Sequence, residues 1–228
     1  MIKAVIFDMY ETLITHYRCP LYFGAQMAED AGIPVEKFQP LWRATEKDRS
    51  VGKIRFEEVI EMILRENQCY NDEILEKIVQ KRVATKLACF KLMHSELLPM
   101  FEGLKQKGVR IGLISNCFSE EAEVIRKSCL FSYFDQVSLS YEEKVQKPDE
   151  KIYKRCMEGL SVKAEECLYI GDGGSQELET ARNLGMKAMQ AMWYLNECGM
   201  QNSKRKEDFA AIETPLEVLE YLNDMSKM

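Results

Sequence analysis

Polar side chains follow three short apolar runs of the sequence, at positions where buried strands are predicted to end. Asp8 follows Val-Ile-Phe, Ser115 and Asn116 follow Gly-Leu-Ile, and Asp172 follows Leu-Tyr-Ile-Gly. A fourth polar element, Lys147, directly precedes a predicted helix. Ligands of open α/β sheets bind beyond the carboxyl ends of the strands. We therefore expect these side chains to meet in one site.

The carboxylates of this predicted site indicate a metal ion and a phosphorylated ligand. Asp8, Asp172 and nearby Glu177 would crowd three like charges, which cannot all stay ionised in a partly buried site without a cation. The chain has two histidines, so the ligands available at this site are carboxylate oxygens, and oxygen ligands favour Mg²⁺. Lys147 and Ser115 add donors that suit phosphate oxygens. Asp8, aimed by a rigid strand end, could act as a nucleophile whose covalent intermediate is resolved by water.

The elements that position these residues are predicted to alternate between strands and helices. Short apolar runs predict strands at 4–7, 109–114, 137–139, 167–170 and 186–192, with a short sixth at 211–212. Capping residues and glycines between them predict helices at 119–129, 148–159 and 176–184, begun by Ser119, Pro148 and Ser175. This alternation is typical of an α/β fold with a doubly wound parallel sheet.

The alternation stops between residues 16 and 92. This segment is charged, contains long amphipathic stretches at 56–67 and 72–85, and has no convincing strand pattern. We predict that it is a helical cap domain inserted after the first strand. The catalytic core would then consist of residues 1–15 and 93–228.

Length and charge exclude several classes of protein. A chain of 228 residues can bury a core without disulfides, and 31 Lys and Arg against 37 Asp and Glu give a net charge of −6. That balance argues against nucleic-acid and membrane-surface partners, but it is compatible with a small phosphorylated substrate. No run of 18 apolar residues is present, which predicts a cytoplasmic protein. The oligomeric state stays open.

Four motifs, in this order, resemble those of the haloacid dehalogenase-like hydrolase superfamily. They are Asp8-Met9-Tyr10-Glu11-Thr12-Leu13, Ser115-Asn116, Lys147-Pro148-Asp149, and Gly171-Asp172-Gly173-Gly174 followed by Glu177. The segment between the first two motifs resembles the helical type-1 cap of that superfamily. The resemblance spans essentially the whole chain and implies a Rossmann-like core.

The resemblance implies a role for each motif residue of the catalytic core. Asp8 would be the nucleophile, and Thr12 and Ser115 would hydrogen-bond the nucleophile or the transferring group. Lys147 would balance the negative charge, and Asn116 would lie on the substrate side.

The resemblance also implies a Mg²⁺ site. Asp172, with Glu177 behind it, would hold the ion, together with the Asp8 side chain and the backbone carbonyl of Tyr10. The Tyr10 side chain would face the substrate.

Tyr10 departs from the pattern of the superfamily's phosphatases, which have a second Asp there as general acid and base. A phenol has an ordinary pKa of ~10 and is a poor base at neutral pH. The 2-haloacid dehalogenases of the superfamily also have Tyr at this position, since a halide leaves without a proton. Trp42-Arg43 resembles the cap arginine with which those enzymes hold a substrate carboxylate.

The fourth motif favours the phosphatase. The dehalogenases resemble Ser-x-Asn-x-x-Asp there and need no metal, whereas this chain has Gly-Asp-Gly-Gly and Glu177. We therefore predict a Mg²⁺-dependent phosphatase that acts on a small phosphate monoester through an aspartyl-phosphate. The alternatives are a 2-haloacid dehalogenase and a catalytically silent protein that binds a phosphorylated ligand.

Several of these residues also have plain structural interpretations. Lys144 competes with Lys147, Ser115 could be an ordinary capping residue, and Glu177 is favoured in a first helical turn in any case. Arg43 could be an ordinary surface residue of the cap.

Overall fold

The computed structural model describes residues 1–195 and 204–225, and its centre is a parallel sheet. The six strands are β1 (Ala4–Phe7), β2 (Arg110–Ser115), β3 (Gln136–Leu139), β4 (Cys167–Gly171), β5 (Lys187–Ala191) and β6 (Ala210–Ile212). Their order across the sheet is β3-β2-β1-β4-β5-β6, and all neighbouring pairs are parallel. The predicted strands are thus present, and the sheet is wound in both directions from β1.

Eleven α-helices accompany the sheet in the described residues. They are α1 (Gly24–Ala31), α2 (Val35–Ala44), α3 (Glu46–Ser50), α4 (Phe56–Glu66), α5 (Asp72–Cys89), α6 (Leu97–Gln106), α7 (Ser119–Arg126), α8 (Ser140–Glu143), α9 (Glu150–Leu160), α10 (Glu177–Asn183) and α11 (Glu217–Met225). None of them is both long and apolar enough to cross a membrane.

Alternate side chains of each strand face opposite sides of the sheet and build two cores. In β1, Val5 and Phe7 join a cluster with α6, α7 and α11, whereas Ala4 and Ile6 join a cluster with α9 and α10. Because β1 is covered on both sides, all four of its residues are buried and apolar. This arrangement confirms the predicted α/β fold with a doubly wound sheet.

The site lies where the direction of winding reverses. Strand β1 pairs with β2 on one side and with β4 on the other, and Phe7 is in register with both Leu113 and Ile170. The residues that follow these strands therefore leave the sheet at the same level. A crevice outside the carboxyl ends of the strands at such a switch point is where α/β proteins bind ligands.

The segment predicted as a cap contains α1 to α5 and no strand. The amphipathic stretches predicted at 56–67 and 72–85 form α4 and α5, and Asn71 caps α5 by accepting hydrogen bonds from the backbone N–H groups of Glu73 and Ile74. These helices share their own apolar cluster, which includes Phe38, Trp42 and Phe56. The boundaries of the two predicted units, 16–92 and 1–15 with 93–228, stay a prediction.

Two helices begin at residues other than those predicted, and a third begins where it was predicted. Helix α9 begins at Glu150, because the carboxylate of Asp149 caps it by accepting from Lys151 N at 2.9 Å. Helix α10 begins at Glu177, because Ser175 is left-handed with a φ of 50°. Helix α7 begins at Ser119, as predicted, and the Ser119 hydroxyl accepts a hydrogen bond from Phe56 N of α4 at 2.9 Å.

Candidate active site

The loop after β1 fixes Asp8 in a buried position. Its backbone N–H donates to Ile170 O of β4 at 2.9 Å, and the loop closes when Leu13 N and Ile14 N both donate to Met9 O. That turn brings the Thr12 hydroxyl to 3.3 Å from Asp8 Oδ2, to which it donates. The nucleophile candidate is therefore held by the sheet at its backbone and by Thr12 at its carboxylate.

Lys147 contacts the other oxygen of the Asp8 carboxylate. Its Nζ donates to Asp8 Oδ1 at 2.5 Å, to the carboxylate of Glu177, and to Tyr169 Oη at 3.3 Å. The side-chain amide of Asn116 forms two hydrogen bonds with the backbone of Lys147. It donates to the Lys147 carbonyl at 3.1 Å and accepts from the Lys147 N–H at 2.8 Å. Asn116, predicted on the substrate side, thus positions Lys147.

Lys144, the alternative considered from sequence, lies elsewhere. Its Nζ donates to Gly52 O, in the turn after α3, at 3.0 Å. It therefore links the cap segment to the core, and Lys147 is the lysine beside Asp8.

Three buried carboxylates converge at the switch point. Asp8, Asp172 and Glu177 each offer an oxygen atom, and these atoms lie within 4.8 Å of one another. Asp172 Oδ1 accepts from Gly174 N at 3.0 Å, whereas Glu177 accepts from Gly173 N, Tyr169 Oη and Lys147. The structure therefore brings together the three acids that the sequence predicts as a metal site.

Gly171 lets Glu177 reach this cluster. A Cβ at Gly171 would lie 2.0 Å from Glu177 Oε1, which is far inside van der Waals contact. The glycine before Asp172 therefore leaves the space that the Glu177 carboxylate occupies beside β4.

The charges at the site do not balance. Burial, opposed by Lys147 and reinforced by Glu177 and Asp172, raises the pKa of Asp8 from 3.8 to about 8. Burial disfavours the ammonium of Lys147, but Asp8 and Glu177 outweigh it and hold the pKa of Lys147 above its ordinary value. One ammonium group thus faces three carboxyl groups. Carboxylate oxygens are ligands that hard divalent cations prefer, so the arrangement could hold a metal cation.

Ser115 ends β2, beside β1, and is fully buried. Its hydroxyl donates to the Asn116 carbonyl at 3.4 Å, a long hydrogen bond. The register of β1 and β2 places Ser115 near the level of Asp8, where the sequence predicts it.

A family model described as haloacid dehalogenase-like hydrolase matches residues 2–185, which is most of the chain. The chain belongs to the haloacid dehalogenase-like hydrolases. The family predicted from the four motifs is confirmed, and so is the general class of enzyme, a hydrolase.

Curated relatives of this haloacid dehalogenase-like hydrolase include phosphatases. The glyceraldehyde 3-phosphate phosphatase of Methanopyrus kandleri is 25% identical over 100% of both chains. The enzyme of that name from Pyrococcus abyssi is 26% identical over 83% of this chain and 81% of its own.

Solved structures of both functional types share the fold. A HAD phosphatase from Thermococcus onnurineus matches with a TM-score of 0.67 and 20% identity, covering 97% of this chain and 98% of its own. A 2-haloacid dehalogenase from Pseudomonas syringae also matches with a TM-score of 0.67, with 21% identity over 99% and 100% of the two chains. The fold alone does not separate a phosphatase from a dehalogenase.

In this haloacid dehalogenase-like hydrolase the Tyr10 side chain points into the joint between the cap segment and the core. Its ring stacks on His16 with centroids 4.7 Å apart, and Lys86 Nζ lies 4.9 Å from the ring centroid. The buried hydroxyl has no hydrogen-bond partner among the described residues. Burial, with Glu121 as the next contributor, raises the pKa of Tyr10 well above 10, so the phenol cannot serve as a base.

Arg43 is exposed and lines a cavity of about 450 Å³ that also borders Asn116, Gln146 and Ser175. The guanidinium predicted to meet a substrate therefore shares a cavity with Asn116 of the second motif.

A network of buried charges joins α5 to α7, and sequence reasoning missed it. Arg82 donates to Glu120 and Glu121 at 3.0 Å each, and Lys86 lies 2.6 Å from Glu121. The two acids have the sequence signature of a helix first turn, where exposed acids are common. The available signal was the spacing of Arg82 and Lys86, which are four residues apart and so share one face of α5.

Proposed function

We propose that this protein is a Mg²⁺-dependent phosphatase that hydrolyses a small phosphate monoester through an aspartyl-phosphate on Asp8. The observation that carries the proposal is the convergence of Asp8, Asp172 and Glu177, with Lys147 in contact with Asp8. The relatives named glyceraldehyde 3-phosphate phosphatase support the same reaction class. A cytoplasmic location, and the absence of nucleic-acid and membrane partners, stay predictions.

The donor set of the site fits Mg²⁺. Asp8 and Asp172 supply carboxylate oxygens, and the backbone carbonyl of Tyr10 would complete the protein ligands, as the family pattern implies. Glu177 already accepts three hydrogen bonds and would support the site from behind. Bound Mg²⁺ would neutralise the phosphoryl oxygens and relieve the repulsion among the carboxylates.

Asp8 would attack the phosphorus atom as the ester P–O bond breaks, and the leaving alkoxide would take up a proton from solvent water. A water molecule then attacks the phosphorus of the aspartyl-phosphate, releasing inorganic phosphate and restoring the Asp8 carboxylate. Lys147 holds positive charge beside Asp8 in both steps. Thr12 and Ser115 offer hydroxyl donors, which would orient Asp8 and the transferring group.

The second candidate is a 2-haloacid dehalogenase, and Tyr10 is the observation that favours it. A halide leaves carbon without a proton, so a site without a second aspartate suffices for that reaction. The cluster of three carboxylates argues against it, because displacement of a halide gains nothing from a divalent cation. A silent protein that binds a phosphorylated ligand is the third candidate, motivated by the same missing aspartate.

The test compares phosphate and halide release under matched conditions. We expect Mg²⁺-dependent hydrolysis of p-nitrophenyl phosphate that EDTA and Asp8→Asn both abolish, while Asp208→Asn, at an exposed position, leaves it unchanged. Chloride release from 2-chloropropionate in EDTA would instead establish the dehalogenase. Binding of phosphate ligands without hydrolysis of any ester in a broad panel would establish the silent protein.

A further inference from the structure

Gln190 of strand β5 is a fully buried polar residue that lies outside the four motifs. It is in register with Gly171, the last residue of the neighbouring strand β4. It contacts residues 204–206, which we call the return segment because they lead back to the sheet at β6. Gln190 and the return segment both lie beyond residues 2–185, which the family model matches. A buried amide costs free energy unless its hydrogen bonds are formed, so its partners show what it holds together.

The Gln190 side chain forms four hydrogen bonds, which is the full capacity of an amide. Its Nε2 donates to the carbonyl of Asp172 at 2.7 Å and to the carbonyl of Lys204 at 2.8 Å. Its Oε1 accepts from the backbone N–H of Lys206 at 2.7 Å and from Arg205 Nη1 at 3.2 Å. Because carbonyls can only accept and these N–H groups can only donate, the orientation of the amide is fixed. One side chain therefore joins the backbone of Asp172 to the return segment.

The return segment also packs against the loop after β4 and against α10. A Cβ at Gly173, which has a left-handed φ of 93°, would lie 2.8 Å from Lys206 Cε and 3.1 Å from Gln190 Nε2. Lys206 Nζ lies 2.5 Å from the carboxylate of Glu179 in α10, the helix that begins at Glu177. The segment is thus fixed to the loop after β4 and to the helix that supplies an acid of the carboxylate cluster.

The direction of the Asp172 carboxylate depends on the backbone that Gln190 holds. Asp172 Oδ1 accepts from Gly174 N at 3.0 Å, so the side chain follows the conformation of residues 172–174. Rotation of that backbone would carry the Asp172 carbonyl away from Gln190 and leave a buried amide N–H without an acceptor, which costs free energy. Removal of a group that orients a metal ligand typically weakens metal binding by about 10–100-fold.

We propose that Gln190 is a positioning residue of the proposed Mg²⁺ site, which ties the Asp172 carbonyl to the return segment and so holds the Asp172 carboxylate in the direction that the ion requires. The inference rests on the proposed function, in which Asp172 is a ligand of the ion. Gln190 itself contacts neither the ion nor the substrate. Its removal should therefore weaken Mg²⁺ binding much more than it slows the chemical step once Mg²⁺ is bound.

The first test measures Mg²⁺ affinity by calorimetric titration at a temperature where every variant is folded. We expect Gln190→Met, which keeps the length of the side chain but cannot donate to the Asp172 carbonyl, to raise the Kd for Mg²⁺ by about tenfold or more. With p-nitrophenyl phosphate, the Mg²⁺ concentration for half-maximal rate should rise by the same factor, whereas kcat at saturating Mg²⁺ should fall much less.

The matched control is Gln136→Met, at a glutamine that begins the edge strand β3, and it should keep the wild-type Kd. A Kd in Gln190→Met equal to that of the wild type, even with a lower Tm, would overturn the proposal and leave Gln190 a role in folding alone. An equal rise in Kd in both variants would overturn it as well.

The second test uses wild-type protein and does not depend on the folding of a variant. The backbone N–H of Lys206 lies outside the helices and strands, so its protection from hydrogen exchange depends on the bond to Gln190. We expect exchange of this N–H, followed by NMR, to slow by about threefold or more when Mg²⁺ binds, because the Asp172 loop and the return segment are ordered together. Fast exchange at Lys206 that Mg²⁺ does not change would contradict the proposed link.

The outcomes separate this inference from the proposed function. If Gln190→Met binds Mg²⁺ about tenfold more weakly than the wild type but no phosphate ester is hydrolysed, the phosphatase proposal fails and the role of Gln190 stands. If the wild type shows Mg²⁺-dependent hydrolysis of p-nitrophenyl phosphate and the two Kd values are equal, the role of Gln190 alone is rejected. A wild type that binds no Mg²⁺ rejects both.

Discussion

Tyr10 stands where a phosphatase of this family would have its acid and base, and its phenol lies against His16 and Lys86 in the joint between the cap segment and the core. Loss of a positioned acid and base typically costs 10²–10⁴-fold in rate. An alkoxide leaving group needs a proton, whereas a nitrophenolate leaves readily without one. The wild-type enzyme should therefore hydrolyse aryl phosphates much faster than alkyl phosphates.

Tyr10→Asp should raise kcat for an alkyl phosphate by about 10- to 100-fold, because it restores a carboxylate two residues from the nucleophile. The effect on p-nitrophenyl phosphate should be smaller. Steady-state kinetics on both substrates measures the contrast, and Tyr10→Phe is the matched control, since it keeps the ring and removes only the unpartnered hydroxyl. An equal gain for both substrates, or the same gain in Tyr10→Phe, would contradict this account.

A second prediction at the level of single residues concerns Lys147. Lys147→Met should reduce kcat by at least about 100-fold and lower the free energy of unfolding by about 3 kcal/mol, because it leaves Asp8 and Glu177 as adjacent buried charges. Turnover with Mg²⁺ measures the first effect, and urea denaturation without added metal measures the second. Lys144→Met, at the lysine that donates to Gly52 O, should change each only slightly. Similar losses in both variants would remove the special role of Lys147.

The sequence predicts part of this site and misses part of it for a physical reason. Asp8, Asp172 and Lys147 could be predicted together, because strand ends and motif order depend on local sequence. The contact of Asn116 with the Lys147 backbone could not, since these two residues are far apart in the chain and meet only when the segments after β2 and before α9 pack together.

Helices α5 and α7 are joined by charge rather than by apolar packing alone. Arg82 donates to Glu120, to Glu121 and to the carbonyl of Tyr22, all of them in buried surroundings. The hydrophobic pattern predicts α5 and α7 as helices. It does not predict that the acids which open α7 are buried, because exposed and buried acids have the same signature in a first turn.

Arg82→Met should lower the free energy of unfolding by about 3–5 kcal/mol, because two buried carboxylates lose a shared partner. The double variant Arg82→Met/Glu120→Met should recover part of that loss, since it removes one of the uncompensated charges. Urea denaturation of both variants and of the single variant Glu120→Met completes the double-mutant cycle. Strictly additive effects would show that Arg82 and Glu120 do not interact energetically.

At the scale of the whole molecule, the sheet and the cap segment each supply part of the site. The β1–β4 switch point gathers the carboxylates, and the cap segment is joined to the core by contacts such as Phe56 with Ser119 and Gly52 with Lys144. The repeating strands and helices make the sheet predictable. The packing of the cap segment on the core is harder to predict from sequence, because its contacts are single side chains from separate helices.

We expect the carboxylate cluster, as the proposed Mg²⁺ site, to make the stability of the whole molecule depend on Mg²⁺. An ion that binds the folded state alone stabilises it by RT ln(1 + [L]/Kd), which is about 2.7 kcal/mol at 100 times Kd. For a chain of this size that corresponds to a rise in Tm of roughly 5–10 °C. Thermal denaturation with Mg²⁺ and with EDTA measures it.

Asp172→Asn should lose most of this Mg²⁺-dependent rise in Tm, and its metal-free Tm should match or exceed that of the wild type, because one of three repelling carboxylates is gone. Glu158→Gln, at an exposed acid of α9, should keep the full rise. A wild-type Tm that does not respond to Mg²⁺, or an equal response in Asp172→Asn, would show that the cluster is not a Mg²⁺ site. A metal-free Asp172→Asn variant that is markedly less stable than the wild type would instead assign Asp172 a structural role through the hydrogen bond that it accepts from Gly174 N.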